Sequence, residues 1–223
     1  MRKYYEAYDE RYRQIHGRQL QWFDDTPTPV VAETIRKYAI TNRNHILELG
    51  CGEGRDAYPL LKQGYRILAT DISSSAIAYA QKKWPEFAAK FAVLDCISGI
   101  LPEKYDFIYA VAVVHMLVED TDRDGFYAFI RDHLTADGIA LICTMGDGTL
   151  ERQTDIQTAF DLQIRIHEAS GQEVSVAATS CRMVSFATLH QELQRNGLKI
   201  LEEGTTSSPP DFPMLMYAVV KNL

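Results

Sequence analysis

From His45 onward, short continuous apolar runs alternate with stretches whose apolar residues recur every three or four positions. HILELG (45–50) predicts a buried strand, GRDAYPLLKQG (54–64) a helix closed by Gly64, and YRILATD (65–71) a second strand. SSSAIAYAQKKW (73–84) predicts a helix capped by Ser73 and stopped by Pro85. AKFAVLD (89–95) and YDFIYAVAVV (105–114) predict the third and fourth strands, DTDRDGFYAFIRDHL (120–134) a helix that tolerates Gly125, and GIALICTM (138–145) a fifth strand. Strands that read as unbroken apolar runs between helices imply a parallel sheet covered on both faces.

The alternation stops from Gly146 to Val184, where polar residues dominate and no clear strand emerges. It resumes with a helix over SFATLHQELQRNG (185–197), capped by Ser185 and ended by Gly197. LKILEEG (198–204) and MLMYAVVKN (214–222) predict two last strands, joined by TTSSPPDFP (205–213). That link is too short for a crossover helix, so the final pair should be antiparallel. At the other end, residues 1–22 carry Tyr4, Tyr5, Tyr8 and Tyr12 and predict a helix with an aromatic stripe. DDTPTP then punctuates the chain, with Thr28 and Pro29 opening a helix to about Tyr38. The expectation is one doubly wound, Rossmann-like α/β domain over 1–223, with a seven-stranded, mostly parallel sheet and an antiparallel C-terminal hairpin strand. Its parts are a helical cap (1–38), a core (45–145), an insertion (146–184) and a C-terminal helix and hairpin (185–223).

Composition changes this little: of 223 residues, 46% are hydrophobic and 24% charged, an ordinary globular balance. The net charge of −7 argues against a nonspecific grip on nucleic acid or an anionic membrane. Residues 1–22 hold Arg2, Lys3, Arg11, Arg13 and Arg18 against three acids, too few for a nucleic-acid arm. No apolar run is long enough to span a membrane, and the N-terminus lacks the apolar segment of a signal peptide. Cys51, Cys96, Cys143 and Cys181 form no CxxC pair, which fits reduced thiols and a cytoplasmic location. The six histidines show no ligand spacing, so no metal is expected.

The candidate chemistry lies in ILELGCGEGRDAYPLL (46–61). An acid and three alternating glycines end a strand and lead into a helix, the place where open α/β sheets bind ligands. Missing β-carbons let backbone touch a ligand, and Asp71 ends the next strand 21 residues after Gly50, where a carboxylate reaches ribose hydroxyls. The combination calls for a nucleoside. It is not a dinucleotide fingerprint, because the third glycine comes one residue early and Arg55 stands in its place. A P-loop, GxxxxGKS/T, is absent.

Glu48-Leu49-Gly50-Cys51-Gly52-Glu53-Gly54 resembles motif I, E/DxGxGxG, of class I S-adenosylmethionine-dependent methyltransferases, and the likeness runs in order from about His45 to Val220. The resemblance implies S-adenosylmethionine as methyl donor, its amino-acid tail crossing the bare loop and Glu48 helping to hold the ammonium. It implies that Asp71, followed by Ile72, binds the ribose, and that Asp95 in VLDC meets the adenine amino group with Cys96 beside the ring. YDFIYAVAVVHML is similar to the family's fourth strand, which puts Ala110 and Val111 under the donor and His115 just beyond. The terminal hairpin is similar to the family's reversed seventh strand.

The glycine loop most resembles those of tellurite-resistance and thiopurine-type methyltransferases, which act on small, soft nucleophiles. QWFDDTPTPVV is similar to the PWDxGxPxP segment of the thiopurine and halide branch, though Phe23 intervenes and the glycine is missing; it implies that Trp22 lies near the donor. AVAVVH stands where amine-methylating DNA enzymes carry D/N/S-P-P-Y/F/W, and no cysteine has the PC or TC context of cytosine-C5 enzymes. The expected acceptor is therefore a small molecule, methylated by in-line displacement, with no nucleic acid or membrane partner and a monomeric or homodimeric state. The alternatives are a donor-binding module without turnover, or an enzyme acting on protein or RNA. Three assignments stay two-sided. His115 is a base or orienting group, or it caps the following helix. Tyr5, Tyr8 and Tyr12 wall an acceptor pocket, or pack their helix. Arg182 clamps an acceptor carboxylate, or makes a surface salt bridge.

Overall fold

The computed structural model describes residues 2–167, 170–208 and 212–223. A 3-10 turn at Tyr4–Glu6 leads into α1 (Ala7–His16), followed by α2 (Pro29–Lys37). Then β1 (His45–Leu49), α3 (Ala57–Lys62), β2 (Arg66–Asp71), α4 (Ser74–Lys83), β3 (Phe91–Val93), β4 (Tyr105–Val111), α5 (Asp120–His133) and β5 (Leu134–Met145) alternate. Four short strands follow: β6 (Arg152–Gln153), β7 (Leu162–Ile166), β8 (Glu173–Ala177) and β9 (Arg182–Met183). The chain closes with α6 (Phe186–Arg195), β10 (Leu198–Ser208) and β11 (Phe212–Asn222).

The main sheet has seven strands in the order β10-β11-β5-β4-β1-β2-β3. The five strands from β5 to β3 run parallel, and β11 runs antiparallel to both of its neighbours. This is the α/β architecture expected from the pattern. Along β4, Phe107, Tyr109 and Val111 join the core under α2, α3 and α4, while Ile108 and Ala110 join the core under α5 and α6. Both faces are buried, which is why these strands carry apolar residues at successive positions. The strand order reverses between β1 and β4, and the loops leaving those two strands open the crevice.

Local details depart from the sequence reading for physical reasons. α3 begins at Ala57, not Gly54, because Gly52 and Gly54 hold left-handed backbone (φ +53° and +89°) that no α-helix accepts. Ser73 and Ser185 cap α4 and α6 as expected, accepting from Ala76 and Thr188 N–H groups. Thr28 stands at the cap position of α2, but its hydroxyl turns to Asp56 (3.0 Å) and not to the helix. Residues 146–184, read as strandless, contain two antiparallel pairs, β6–β9 and β7–β8. The final strands extend into the expected link, of which residues 209–211 lie outside the described residues. Among the described residues no helix is long and apolar enough to cross a membrane.

Candidate functional site

The chain leaves β1 through Gly50, Gly52 and Gly54, all with positive φ. A β-carbon on Gly50 would stand 2.3 Å from Val113 Cγ2, and one on Gly52 would stand 2.5 Å from the Tyr12 hydroxyl. Both glycines face the crevice. A β-carbon on Gly54 would instead meet Phe91 at 2.9 Å, so its bareness serves the packing of β3. Asp71 lies buried beside the loop, its Oδ2 accepting from Gly52 N–H (2.8 Å) and its Oδ1 from Ser73 N–H (2.8 Å). Each oxygen keeps acceptor capacity for a hydroxyl.

Burial raises the Asp71 carboxyl from 3.8 to about 6, outweighing those two hydrogen bonds. Between these values the folded state binds more protons than the unfolded one, so the stability contributed by Asp71 falls as pH rises from about 4 to about 6. A ribose contact needs the ionised acceptor, so affinity for the demethylated donor, S-adenosylhomocysteine, should rise across the upper part of that window and level off above it. Asp71→Ala should weaken this affinity by about 1.5–3 kcal/mol and flatten the pH profile. Calorimetric titration between pH 5 and 8 checks both; wild-type affinity in the variant would move the ribose contact elsewhere.

A narrow cavity of about 90 Å³ gathers Glu48, Gly50, Cys51, Asp71, Ile72, Asp95, Cys96 and Val111, all expected at the donor. Tyr5, Tyr8 and Tyr12 line it from α1 and the turn before it. Glu48 is fully enclosed, its Oε2 has no hydrogen-bond partner among the described residues, and burial pushes its carboxyl well up. Asp95 is bound by Ser98 Oγ (2.6 Å), Ile97 N–H (2.9 Å) and Lys3 Nζ (2.9 Å). Burial opposes its charge, yet these bonds hold its carboxyl below the usual range. Burial drives the Cys96 thiol up to about 12 and raises Cys51 and Cys143 as well, so these sulfurs remain protonated and poor nucleophiles. Ala110 is the exception: its side chain packs in the α5–α6 core, and Ala112 and Val113 line the cavity instead. Ala112 takes φ +58°, a strained turn that swings the chain off β4 at the crevice.

A second cavity, about 480 Å³, adjoins the first; Tyr8, Tyr12, Phe23, Met116 and Phe212 line both. His115 lines only the second. It is 3% exposed and its Nδ1 has no hydrogen-bond partner among the described residues. Burial, helped by Arg123 and Arg11, pushes its imidazole down to about 3, so it is neutral at physiological pH. Trp22 borders this second cavity and not the first, stacked 5.0 Å from the Arg11 guanidinium. Arg182 borders neither; it bonds Asp120 (2.6 Å) and the Val118 carbonyl (2.8 Å), the salt-bridge reading of this residue. Among the residues around the crevice that sequence reasoning missed are Lys3, Arg11, Glu53, Arg152 and Arg165. Arg11 was readable: it lies on the stripe Ala7, Arg11, Ile15, whose other members are fully buried. Glu53, inside the motif, accepts from Trp22 and Phe23 N–H groups and faces His16 at 2.7 Å, tying the N-terminal segment to the glycine loop.

Comparison with known proteins agrees with this geometry. A family described as methyltransferase domain matches residues 47–140, which hold the glycine loop, Asp71 and Asp95. Malonyl-[acyl-carrier protein] O-methyltransferase of Acetivibrio thermocellus is 32% identical over 110 residues, 48% of this chain and 38% of that protein. The probable S-adenosyl-L-methionine-dependent methyltransferase TehB of Haemophilus influenzae is 26% identical over 117 residues, 52% of this chain and 41% of that protein. The matched regions thus span less than half of these curated relatives. The glycopeptide N-methyltransferase MtfA, solved with S-adenosyl-L-methionine, shares the fold at TM-score 0.61 and 18% identity over 86% of each chain. Residues 47–140 thus match a methyltransferase domain, and the chain is similar over about half its length to S-adenosylmethionine-dependent methyltransferases.

Proposed function

We propose that the chain transfers a methyl group from S-adenosylmethionine to a small-molecule nucleophile by in-line displacement. The observation that carries this is the pair of adjoining cavities, one rimmed by the glycine loop and Asp71, the other by His115. The donor side suits the cofactor: the unpartnered Glu48 Oε2 matches an ammonium, Asp71 the ribose hydroxyls and Asp95 the adenine amino group. The cofactor supplies an activated methyl on sulfur. The protein's task is then to align acceptor and methyl in a dry space. Neutral His115 is placed to accept or orient an acceptor proton, and a base is needed only where the acceptor holds its proton at neutral pH.

Residues 1–24 and 146–184 act as the lid. Tyr8 donates to the Ser180 carbonyl (2.8 Å), Gln14 accepts from Ala177 N–H (2.7 Å), and Ile15 packs on Val174 and Val176. Lys3 closes on Asp95 from the same side. S-adenosylhomocysteine should therefore slow amide exchange in α1 and in β7–β8 while the sheet changes little. A tritiated-methyl screen over thiols, amines, phenols and carboxylates should show transfer to one class. Donor binding without transfer to any of them would favour a non-catalytic binding module, a reading that draws on the low basicity of His115.

A further inference from the structure

Resting on the methyltransferase reading, we propose that the acceptor is anionic, with a carboxylate or phosphate group held by Arg11, Arg152 and Arg165 in the cavity beside His115. All three arginines line that cavity, and among the described residues no carboxylate does. This contrasts with a chain whose net charge is −7.

Arg11 is the fixed member. It is 6% exposed, and its Nε and Nη2 donate to the Ala177 and Ala178 carbonyls and to Thr179 Oγ1 at 2.6–3.1 Å. Thr179 holds φ +64°, a conformation β-branched residues avoid, and its hydroxyl accepts from the guanidinium. Nη1 has no hydrogen-bond partner among the described residues. Carbonyls and a hydroxyl satisfy donors but do not neutralise a buried charge, whose desolvation is costly without a counter-ion. Burial lowers Arg11 to about 10 and nearby Arg165 adds to the repulsion, yet the group stays charged at neutral pH. Arg152 and Arg165 reach in from β6 and β7 as exposed, adjustable side chains. A planar, firmly held guanidinium with two exposed partners is suited to an oxyanion, which it can bind bidentately. The other end of such a molecule lies toward Tyr12 and Met116, which border the donor side.

The test uses the full chain saturated with S-adenosylhomocysteine and, by calorimetry at low salt, matched probes: 4-hydroxybenzoate and 4-hydroxyphenyl phosphate against 4-hydroxybenzyl alcohol, and 3-mercaptopropionate against 3-mercaptopropanol. Anionic members should bind at least tenfold tighter than neutral ones. The double variant Arg152→Gln/Arg165→Gln should lose that preference with S-adenosylhomocysteine affinity unchanged, and Arg11→Lys should weaken it. A carboxylate-only or phosphate-only preference names the source of the oxyanion. Equal binding of neutral probes, absence of binding by every anionic probe, or a preference that survives the double variant would overturn the proposal. Loss of S-adenosylhomocysteine binding by the wild-type chain would instead overturn the methyltransferase reading.

Discussion

Truncating Glu192 to alanine should destabilise the fold by about 3–5 kcal/mol, the range for leaving one partner of a buried ion pair uncompensated. Arg123 and Glu192 are both 0% exposed in their side chains and meet in a two-pronged contact, Nε to Oε1 at 2.7 Å and Nη2 to Oε2 at 2.6 Å. Tyr127 adds a hydroxyl to Glu192 at 2.8 Å. The remaining arm of Arg123 donates to the Val114 and Leu117 carbonyls (2.7 and 3.2 Å). The pair therefore fastens α5 to α6 and also fixes the turn that carries His115. Urea unfolding of Glu192→Ala should show a lower midpoint at an unchanged slope. The double replacement Arg123→Met/Glu192→Leu should recover much of the loss, because it removes both charges instead of stranding one. A cost below about 1 kcal/mol for Glu192→Ala would mean that Arg123 finds other compensation and that the pair does not hold this turn.

The sheet was legible because burial on both faces leaves an unmistakable record: ILEL, RILAT and DFIYAV carry apolar residues at successive positions. The residues around the first cavity were legible because glycine spacing and strand-end acids sit at fixed offsets; of those expected there, Trp22, Gly54 and Ala110 do not line it. The insertion was not legible, and β7 shows why. Its Leu162, Ile164 and Ile166 are exposed while Gln163 and Arg165 line the polar cavity, so the usual alternation is inverted. A strand that turns polar residues inward does not announce a core. The second cavity was hidden for another reason: Arg11, His115, Arg152 and Arg165 come from four separate segments, which only tertiary packing, including that of α1 on β8 and the β6–β9 pair, brings together. Arg182 stayed two-sided because a cation near α6 reads alike whether it faces a cavity or, as here, Asp120.

Replacing Gly50 with alanine should cost about 2–5 kcal/mol of stability, the sum of left-handed strain of about 1–2 kcal/mol and overpacking of about 1–3 kcal/mol. Gly64 supplies the comparison within the same chain. It too has positive φ (+83° against +71°), but a β-carbon there meets nothing within 4 Å, whereas at Gly50 it would stand 2.3 Å from Val113 Cγ2. Gly64→Ala should therefore show the strain alone, at about 1–2 kcal/mol. Val113 is buried under the loop and leads into the turn of His115, so relief of the clash must move either the glycine loop or that turn. Either movement displaces groups that line the cavity beside the glycine loop, the proposed donor site. Gly50→Ala should accordingly lose at least tenfold in S-adenosylhomocysteine affinity, and Gly64→Ala should lose none, since Gly64 lies at the far end of α3. Urea unfolding separates the two stability costs, and calorimetry at a temperature where both variants are folded separates the affinities. Equal affinities in the two variants would show that the bareness of Gly50 serves packing against Val113 and not the donor.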